Sequence, residues 1–375
     1  MDFAVFGLTV SSSWGNGHAT LWRGLIAALA RAGHSVTFFE KDVPYYASTR
    51  DLKHLPEGSE LVLYSDWRDV EMRAAEAVGM ADVAMVTSYC PDAQAATDLT
   101  ERRAAGLSVY YDMDTPVTLA RLDAGERVAY LPPGGLGGFD LVLSYTGGRA
   151  LTELRERLGA RRVAPLYGHV DPARHRPAAP RDVFRGDLSY FGTFAADRQP
   201  ALEALFVEPA RRRPDLRFVL GGSGYTESFP WQDNIYFVRH LPPPDHPAFL
   251  SSSPFTLNVT RADMAAMGYC PSGRLFEAAA CGAAILSDRW TGIEHFFEPG
   301  RDILLVDSAD DVLAALDMPA PDVAAMARAA RERVLKEHSS ARRAEELVEL
   351  VRDAMSGAGN SRRTAVQSGR EQCGV

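Results

Sequence analysis

Short apolar runs alternate along this chain with segments in which apolar residues recur every three or four positions. In the first half, the runs that predict buried strands cover residues 3–8, 36–39, 60–64, 83–87, 108–111 and 141–145. The segments that predict amphipathic helices cover residues 19–32, 69–78, 93–105 and 149–158. Gly33 is expected to end the first of these helices. Such alternation of strand and helix predicts an α/β fold with a doubly wound, mainly parallel sheet.

The segment 170–180 interrupts the alternation, because it is rich in proline and has no periodicity. Strand patterns then return at residues 188–191, 217–220, 235–238, 255–259, 284–287 and 303–306, and helical patterns close the chain at 323–335 and 341–354. We therefore predict two Rossmann-like domains, residues 1–170 and 187–340, with a linker at 171–186 and a C-terminal helix at 341–355. The Gly-, Ser- and Arg-rich residues 356–375 are expected to be disordered.

The composition of the chain argues against several classes of protein. The 375 residues include 40 Lys and Arg against 49 Asp and Glu, a formal charge of −9 that argues against a nucleic-acid partner. No apolar run approaches the roughly 18 residues that a transmembrane helix needs, and the N-terminus has no signal-peptide pattern. The four cysteines are scattered without a C-x-x-C pair, so we expect reduced thiols in a cytoplasmic protein.

The most informative stretch runs from Pro271 to Asp288, where a loop, a short helix, a glycine and a buried strand follow each other. The helix carries a single acid, Glu277, and Gly282 is expected to end it. The positive end of the helix would stabilise this carboxylate. The carboxylate would then face the carboxyl ends of the strands, where open α/β sheets bind ligands. We expect Glu277 to contact a ligand, since a purely structural acid here would need a buried partner of its own.

Cations and glycines in neighbouring loops of the second domain suit a diphosphate. Arg261 and Arg274 bracket the Glu277 helix, and surface ion pairs to Asp263 or Glu277 are the alternative for them. The further candidates are the Gly192 and Thr193 backbone, the Arg198 guanidinium, Ser272 at the helix start, and Gly222 in a loop expected near the nucleobase. Arg198 fits a solvated helix position equally well.

The loop after the first strand carries Gly15, Asn16, Gly17 and His18. Its glycines allow close backbone approach, and the following helix start offers free N–H groups to an anion or a sugar oxygen. We expect His18 to stay neutral beside the positive helix end, which would let it take a proton from an acceptor hydroxyl. The alternative is a histidine that only hydrogen-bonds the loop.

The same loop nearly matches the dinucleotide fingerprint G-x-G-x-x-G. Glu40 ends the second strand, where the acid that binds the ribose belongs. Thr20 replaces the third glycine, however, and the glycines begin several residues past the strand. NAD or FAD binding is therefore the weaker interpretation.

A D-x-D motif, Asp112 and Asp114, follows the strand at 108–111. We expect these carboxylates to face the ligand cleft as a base or as groups that bind the acceptor. Two alternatives are a Mn²⁺ or Mg²⁺ site, since these ions prefer oxygen ligands, and a capped turn before the following proline. Thr146 and Gly147 end another strand and form a second candidate contact of the cleft, or only a tight turn.

Taken together, these motifs resemble the CgeB-like glycosyltransferases. The resembling segments are 12–18, 112–120, 140–148, 190–193, 258–261, 271–288 and 290–300, and they cover most of residues 1–310. The resemblance implies a GT-B fold, in which two Rossmann-like domains face a central cleft and C-terminal helices cross back to the first domain. It also implies a nucleoside-diphosphate sugar held by the second domain, with Glu277 on the ribose, an acceptor on the first domain and no essential metal or cofactor.

One position departs from the related retaining enzymes. They have a glutamate eight residues before the ribose-binding acid, and this chain has Tyr269 there. The donor-sugar contact of that glutamate is missing or supplied elsewhere, so retention of configuration does not carry over, and a His18 base would suit inversion.

We therefore expect a metal-independent glycosyltransferase that acts on a hydroxyl of a glycan, surface polysaccharide or secondary metabolite. One alternative is a sugar-nucleotide epimerase of the same fold, which would convert the donor without an acceptor. The other is a nucleotide-sugar-binding protein without catalysis, which Tyr269 makes conceivable.

Overall fold

The computed structural model describes the backbone of residues 1–371 and the side chains of residues 1–357. The chain divides into two compact units, one formed by residues 1–167 with the chain from Arg343 onward, the other by residues 168–342. Each unit has its own sheet, and every pair of neighbouring strands in both sheets is parallel. The prediction of a doubly wound α/β fold is confirmed.

The first unit is built around a 7-stranded sheet with the order β3-β2-β1-β4-β5-β6-β7. Its strands are β1 (Asp2–Gly7), β2 (Ser35–Lys41), β3 (Glu60–Tyr64), β4 (Val83–Thr87), β5 (Leu107–Asp112), β6 (Leu141–Ser144) and β7 (Val163–Pro165). Its helices are α1 (Gly17–Arg31), α2 (Pro44–Ala47), α3 (Trp67–Met80), α4 (Ala93–Glu101), α5 (Thr115–Asp123) and α6 (Arg149–Glu156). The strand order reverses between β1 and β4, which opens a crevice at their carboxyl ends.

The second unit is built around a 6-stranded sheet with the order β10-β9-β8-β11-β12-β13. Its strands are β8 (Leu188–Phe191), β9 (Phe218–Gly222), β10 (Ile235–Arg239), β11 (Phe255–Asn258), β12 (Ala284–Ser287) and β13 (Leu304–Leu305). Its helices are α7 (Gln199–Leu202), α8 (Glu208–Arg212), α9 (His246–Leu250), α10 (Ala262–Met267), α11 (Gly273–Ala280), α12 (Ala309–Leu316) and α13 (Ala320–Glu337). A π-helical turn at Glu203–Val207 joins α7 to α8, and α14 (Ser340–Glu371) ends the described chain. Here the order reverses between β8 and β11.

Local chemistry accounts for where the important helices begin and end. The Asn16 side chain accepts the His18 N–H at the start of α1, and the Ser272 side chain accepts the Arg274 N–H at the start of α11. Gly33 and Gly282 follow the last turns of these helices with φ of +80° and +82°, where a side chain would be strained. The predicted helix stops at both glycines are confirmed.

The structure differs from the sequence analysis in four elements. Helices α2 and α5 and strand β7 were not predicted. Pro116 lies in the first turn of α5, where its fixed φ favours a helix start rather than the capped turn considered as an alternative. Helix α14 continues to Glu371 through most of the segment expected to be disordered, and residues 372–375 of that segment lie outside the described residues.

None of the helices in the described part of the chain is both long and apolar enough to cross a membrane. No disulfide joins Cys90, Cys270 and Cys281, all three of which are buried. Burial raises the pKa of the Cys90 and Cys281 thiols to about 12.

Candidate functional site

The carboxyl edge of the first sheet brings together side chains from three loops. His18 comes after β1, Tyr89 after β4 and Asp114 after β5. The His18 Nε2 lies 3.4 Å from the Asp114 Oδ2, and the His18 and Tyr89 ring centroids are 5.6 Å apart. A half-buried imidazole beside a carboxylate can accept a proton, because the carboxylate stabilises the resulting imidazolium.

Asp112 does not face a ligand as the sequence analysis expected. Its side chain is completely buried (0% exposed), and its Oδ1 accepts the Asp114 backbone N–H at 3.0 Å. Burial raises the pKa of Asp112 to about 6. The expectation for Asp112 is therefore corrected: its carboxylate holds the Asp114 backbone in position. The burial of Asp112 also argues against the Mn²⁺ or Mg²⁺ alternative, because a hydrated ion shared by Asp112 and Asp114 needs access to both carboxylates.

Glu40 holds the loop that leads to His18. Its buried carboxylate accepts the Thr9 hydroxyl at 2.7 Å and the Val10 and Ser11 backbone N–H groups at 2.7 Å and 2.9 Å. With its oxygens engaged in this way, Glu40 is not available to a ribose. The dinucleotide interpretation therefore loses the acid on which it depended.

The other loop residues predicted in the first unit have backbone roles. Gly15 has a φ of +60°, and a Cβ on Gly17 would meet nothing within 4 Å. Thr146 donates its N–H to the Ser144 hydroxyl at 3.0 Å, which forms a tight turn at the end of β6. A Cβ on Gly147 would collide with the Tyr167 hydroxyl, so a larger residue there would require the Tyr167 side chain to shift.

In the second unit, Glu277 lies in the second turn of α11 rather than at its first turn. The helix dipole acts mainly on the first turn, so other groups must hold this carboxylate ionised. Arg274 donates to Oε2, and the His175 Nε2 lies 3.8 Å from Oε1. Burial alone would raise the pKa of Glu277, but the charge and the hydrogen bond of Arg274 outweigh burial and lower it.

Aromatic and imidazole rings surround this ion pair. The Arg274 guanidinium carbon lies 3.7 Å from the Phe191 ring centroid, within cation–π range. The Phe191 and His246 ring centroids are 4.5 Å apart. Burial lowers the pKa of His175 and lowers that of His246 to about 3, so both imidazoles are neutral at pH 7.

The loops after β8 and β9 approach each other closely beside Arg274. Gly222 has a φ of +148°, and a Cβ there would collide with the Gly192 carbonyl oxygen. Arg198 donates to the Thr193 carbonyl and so braces the loop that begins at Gly192. The structure thus brings Gly192, Thr193, Arg198 and Gly222 together, as the sequence analysis expected of a shared ligand site.

Arg261 and Ser272 have partners of their own. Arg261 pairs with Asp197 at 3.5 Å, not with the Asp263 or Glu277 considered from sequence. The Asp288 carboxylate accepts the Thr260 N–H and hydroxyl at 3.0 Å and 2.9 Å, which fixes the chain just before Arg261. The Ser272 hydroxyl is used as the cap of α11.

Tyr269, at which the sequence analysis noted a departure from the retaining enzymes, has a strained backbone. Its φ is +47°, a value rare for a residue with a side chain. Its N–H donates to the Thr291 carbonyl at 2.7 Å, and a Cβ on Gly292 would lie 2.7 Å from its ring. Strain of this kind clusters at functional sites.

Three residues of the two sites, Tyr89, His175 and His246, were not expected from the sequence. His175 lies in the proline-rich segment interpreted as a linker, and His246 begins the short helix α9. No periodicity or motif singles them out, because their proximity to Glu277 arises only when distant parts of the chain pack together. A positive φ at Tyr89, +63°, is likewise visible only in the structure.

This chain is similar to known proteins in the sequence of one segment and in its overall fold. Residues 198–349 match the family model described as Glycosyl transferase-like. Sucrose-phosphate synthase from Thermosynechococcus elongatus superimposes with a TM-score of 0.69 at 14% identity, over 95% of this chain and 99% of its own. The fold is GT-B. Among curated proteins, none matches this sequence significantly.

Two further solved structures share the GT-B fold. Anabaena HepE in complex with UDP and glucose has a TM-score of 0.64 at 12% identity, over 94% of this chain and 100% of that one. An alpha-glucosyltransferase in complex with UDP and a 13-mer DNA has a TM-score of 0.67 at 13% identity, over 94% of this chain and 99% of that one. The segment that matches the family model contains six of the residues predicted to bind a donor: Arg198, Gly222, Arg261, Ser272, Arg274 and Glu277.

Proposed function

We propose that this protein is a glycosyltransferase, which moves a sugar from a nucleoside-diphosphate sugar to an acceptor hydroxyl without a metal ion, as expected for a CgeB-like enzyme. The observation that carries the proposal is the Arg274–Glu277 ion pair on α11. It lies within the segment that matches the glycosyl transferase-like family model and beside the loops that meet at Gly192 and Gly222.

In this proposal the second unit binds the donor. The Glu277 carboxylate accepts hydrogen bonds from the ribose hydroxyls, and Arg274 moves from Glu277 toward the diphosphate. Arg198 adds a second positive charge at the same sheet edge. Fixed cations stabilise the charge that builds up on the departing nucleoside diphosphate, which is the role a metal ion plays in other transferases.

The first unit would bind and activate the acceptor. His18 takes the proton of the acceptor hydroxyl as its oxygen bonds to the sugar, and Asp114, 3.4 Å away, stabilises the imidazolium. Asp112 positions Asp114 through its backbone N–H. This pair supports the proposed transfer over binding alone, because a binding protein has no need of a proton acceptor.

Nucleotide binding tests the donor site. We expect one of UDP, TDP, GDP, ADP and CDP to raise the melting temperature with EDTA present, since a ligand of the folded state stabilises it by mass action. UDP is the first candidate, because the HepE and alpha-glucosyltransferase structures hold UDP. Glu277→Gln should weaken binding about ten- to hundredfold, the equivalent of one lost charged hydrogen bond of about 1.5–3 kcal/mol.

Glu332→Gln is the matched control, since Glu332 is an exposed helical acid of the same unit. No stabilisation by any nucleotide at millimolar concentration would refute the donor site, and stabilisation only with Mn²⁺ would refute metal independence. Product analysis then separates the activities. A transferase releases the nucleoside diphosphate and needs an acceptor, whereas an epimerase converts the donor without one.

A further inference from the structure

Two histidines that the proposed transfer does not use form a cluster with Glu277. One ring nitrogen each from His175 and His246 and one Glu277 oxygen lie within 4.8 Å of one another. Within the described part of the chain, this is the one group of three or more His, Cys, Asp or Glu side chains close enough to share a metal ion. We infer that these three residues bind a transition-metal ion, with Zn²⁺ as the best match, and that the ion blocks the donor site.

The donor atoms indicate which metal fits. Two imidazoles and one carboxylate are a common ligand set for Zn²⁺, whereas Mg²⁺ and Ca²⁺ prefer oxygen ligands alone. Bonds of about 2.0–2.2 Å in a tetrahedral site place neighbouring ligand atoms roughly 3.3–3.5 Å apart. The His175 Nε2 and Glu277 Oε1 are already 3.8 Å apart, so small side-chain rotations would complete the site.

The surroundings of the two imidazoles favour a ligand. The His175 side chain is only 6% exposed, and its buried Nδ1 has no hydrogen-bond partner among the described residues. The ring nitrogen that faces Glu277 is Nε2, so Nε2 is the atom that would bind the ion. The His246 Nε2 lies 3.4 Å from the Leu241 carbonyl, and metal-binding histidines commonly donate their second ring nitrogen to such a carbonyl.

Arg274 does not prevent metal binding, because it contacts the other oxygen of the carboxylate. It donates to Oε2 of Glu277, while Oε1 faces His175. Glu277 can therefore lie between the guanidinium on one side and the metal ion on the other. A carboxylate held in this way cannot also accept ribose hydroxyls, so the ion would inhibit the enzyme. This consequence rests on the proposed function, whereas metal binding itself does not.

Zinc titration of the EDTA-treated full chain, in competition with a chromogenic chelator, tests the site. We expect one strong Zn²⁺ site per chain, and affinity at least tenfold lower in His175→Gln and in His246→Gln. His54→Gln is the control, since His54 is exposed and lies in the first unit. Should one of the two variants fail to fold, the other decides. Zinc affinity unchanged by substitution at the cluster, or lowered equally by His54→Gln, would overturn the site.

Competition with a nucleoside tests the inhibitory consequence. Uridine is the probe, because it lacks the phosphates that would bind zinc in solution. With a zinc chelator absent, saturating Zn²⁺ should weaken uridine binding at least tenfold in the wild type and leave it unchanged in His246→Gln. Simultaneous binding of both would overturn the inhibition. Zinc binding without binding of any nucleotide would refute the proposed donor site and leave the metal site standing.

Discussion

Replacing Asp112 by asparagine should stabilise the first unit at neutral pH. The folded protein holds the pKa of this buried carboxyl at about 6, against an ordinary value of 3.8, because burial disfavours the charged form. The folded state therefore binds more protons than the unfolded chain between these two pH values. The contribution of Asp112 to stability is largest below pH 3.8 and is lost as the pH rises through about 6.

The size of the effect follows from the difference between the two pKa values. Each pKa unit corresponds to about 1.4 kcal/mol, so the ionised Asp112 costs about 3 kcal/mol at pH 7 relative to low pH. Asparagine carries no charge, and its oxygen can still accept the Asp114 N–H. The Oδ2 of Asp112 has no hydrogen-bond partner among the described residues, and the asparagine amide in its place needs acceptors, which the neighbouring Ser88 and Thr118 hydroxyls can supply by rotating. We expect a net gain of about 1–3 kcal/mol at pH 7 and none at pH 4.

Urea denaturation of the wild type and Asp112→Asn between pH 4 and pH 8 measures this difference. Hydrogen exchange of peptides from β5 assigns the transition to the first unit. The difference between the two proteins is the relevant quantity, because the titration of all other carboxyl groups cancels in it. Asp263→Asn, at an exposed position, is the control. A difference that stays constant from pH 4 to pH 8 would refute the reasoning, since it would mean that Asp112 titrates alike in the folded and unfolded states.

Three further substitutions test the two sites. Glu40→Gln places an amide against backbone N–H donors and should cost about 2–4 kcal/mol of unfolding free energy, measured in urea, with exposed Glu57→Gln near zero. Gly222→Ala should lower both the stability of the protein and its affinity for the nucleotide, measured by calorimetry, because the added Cβ has no room. A Cβ on Gly79 would meet nothing within 4 Å, so the control Gly79→Ala should not destabilise the protein. His18→Ala should reduce transfer rate at least a hundredfold and leave nucleotide affinity unchanged, and unchanged transfer would exclude His18 as the base.

Part of the candidate site could be predicted from the sequence, because it depends on residues that are close together along the chain. Glu277 stood out as the single acid of a short helix between a loop and a buried strand, and α11 has that form. Gly192, Thr193 and Gly222 were predictable as loop residues after strands, since parallel strands end at the same edge of a sheet. What holds Glu277 was predicted only as an alternative. The helix dipole was expected to act on it, and the structure shows instead the ion pair with Arg274, which the sequence analysis had considered as the alternative.

The sequence by itself determined the two Rossmann-like sheets and most strand positions. Parallel strands are buried on both faces, so each strand has a continuous run of apolar residues that is visible in the sequence. It also determined the helix stops at Gly33 and Gly282, which depend on local backbone conformation. Only the tertiary structure decided that Glu40 supports a loop, that Asp112 is buried, and that His175 approaches Glu277. These contacts join residues about 30 to 100 positions apart, and they depend on how side chains pack around a common core. No local pattern encodes them.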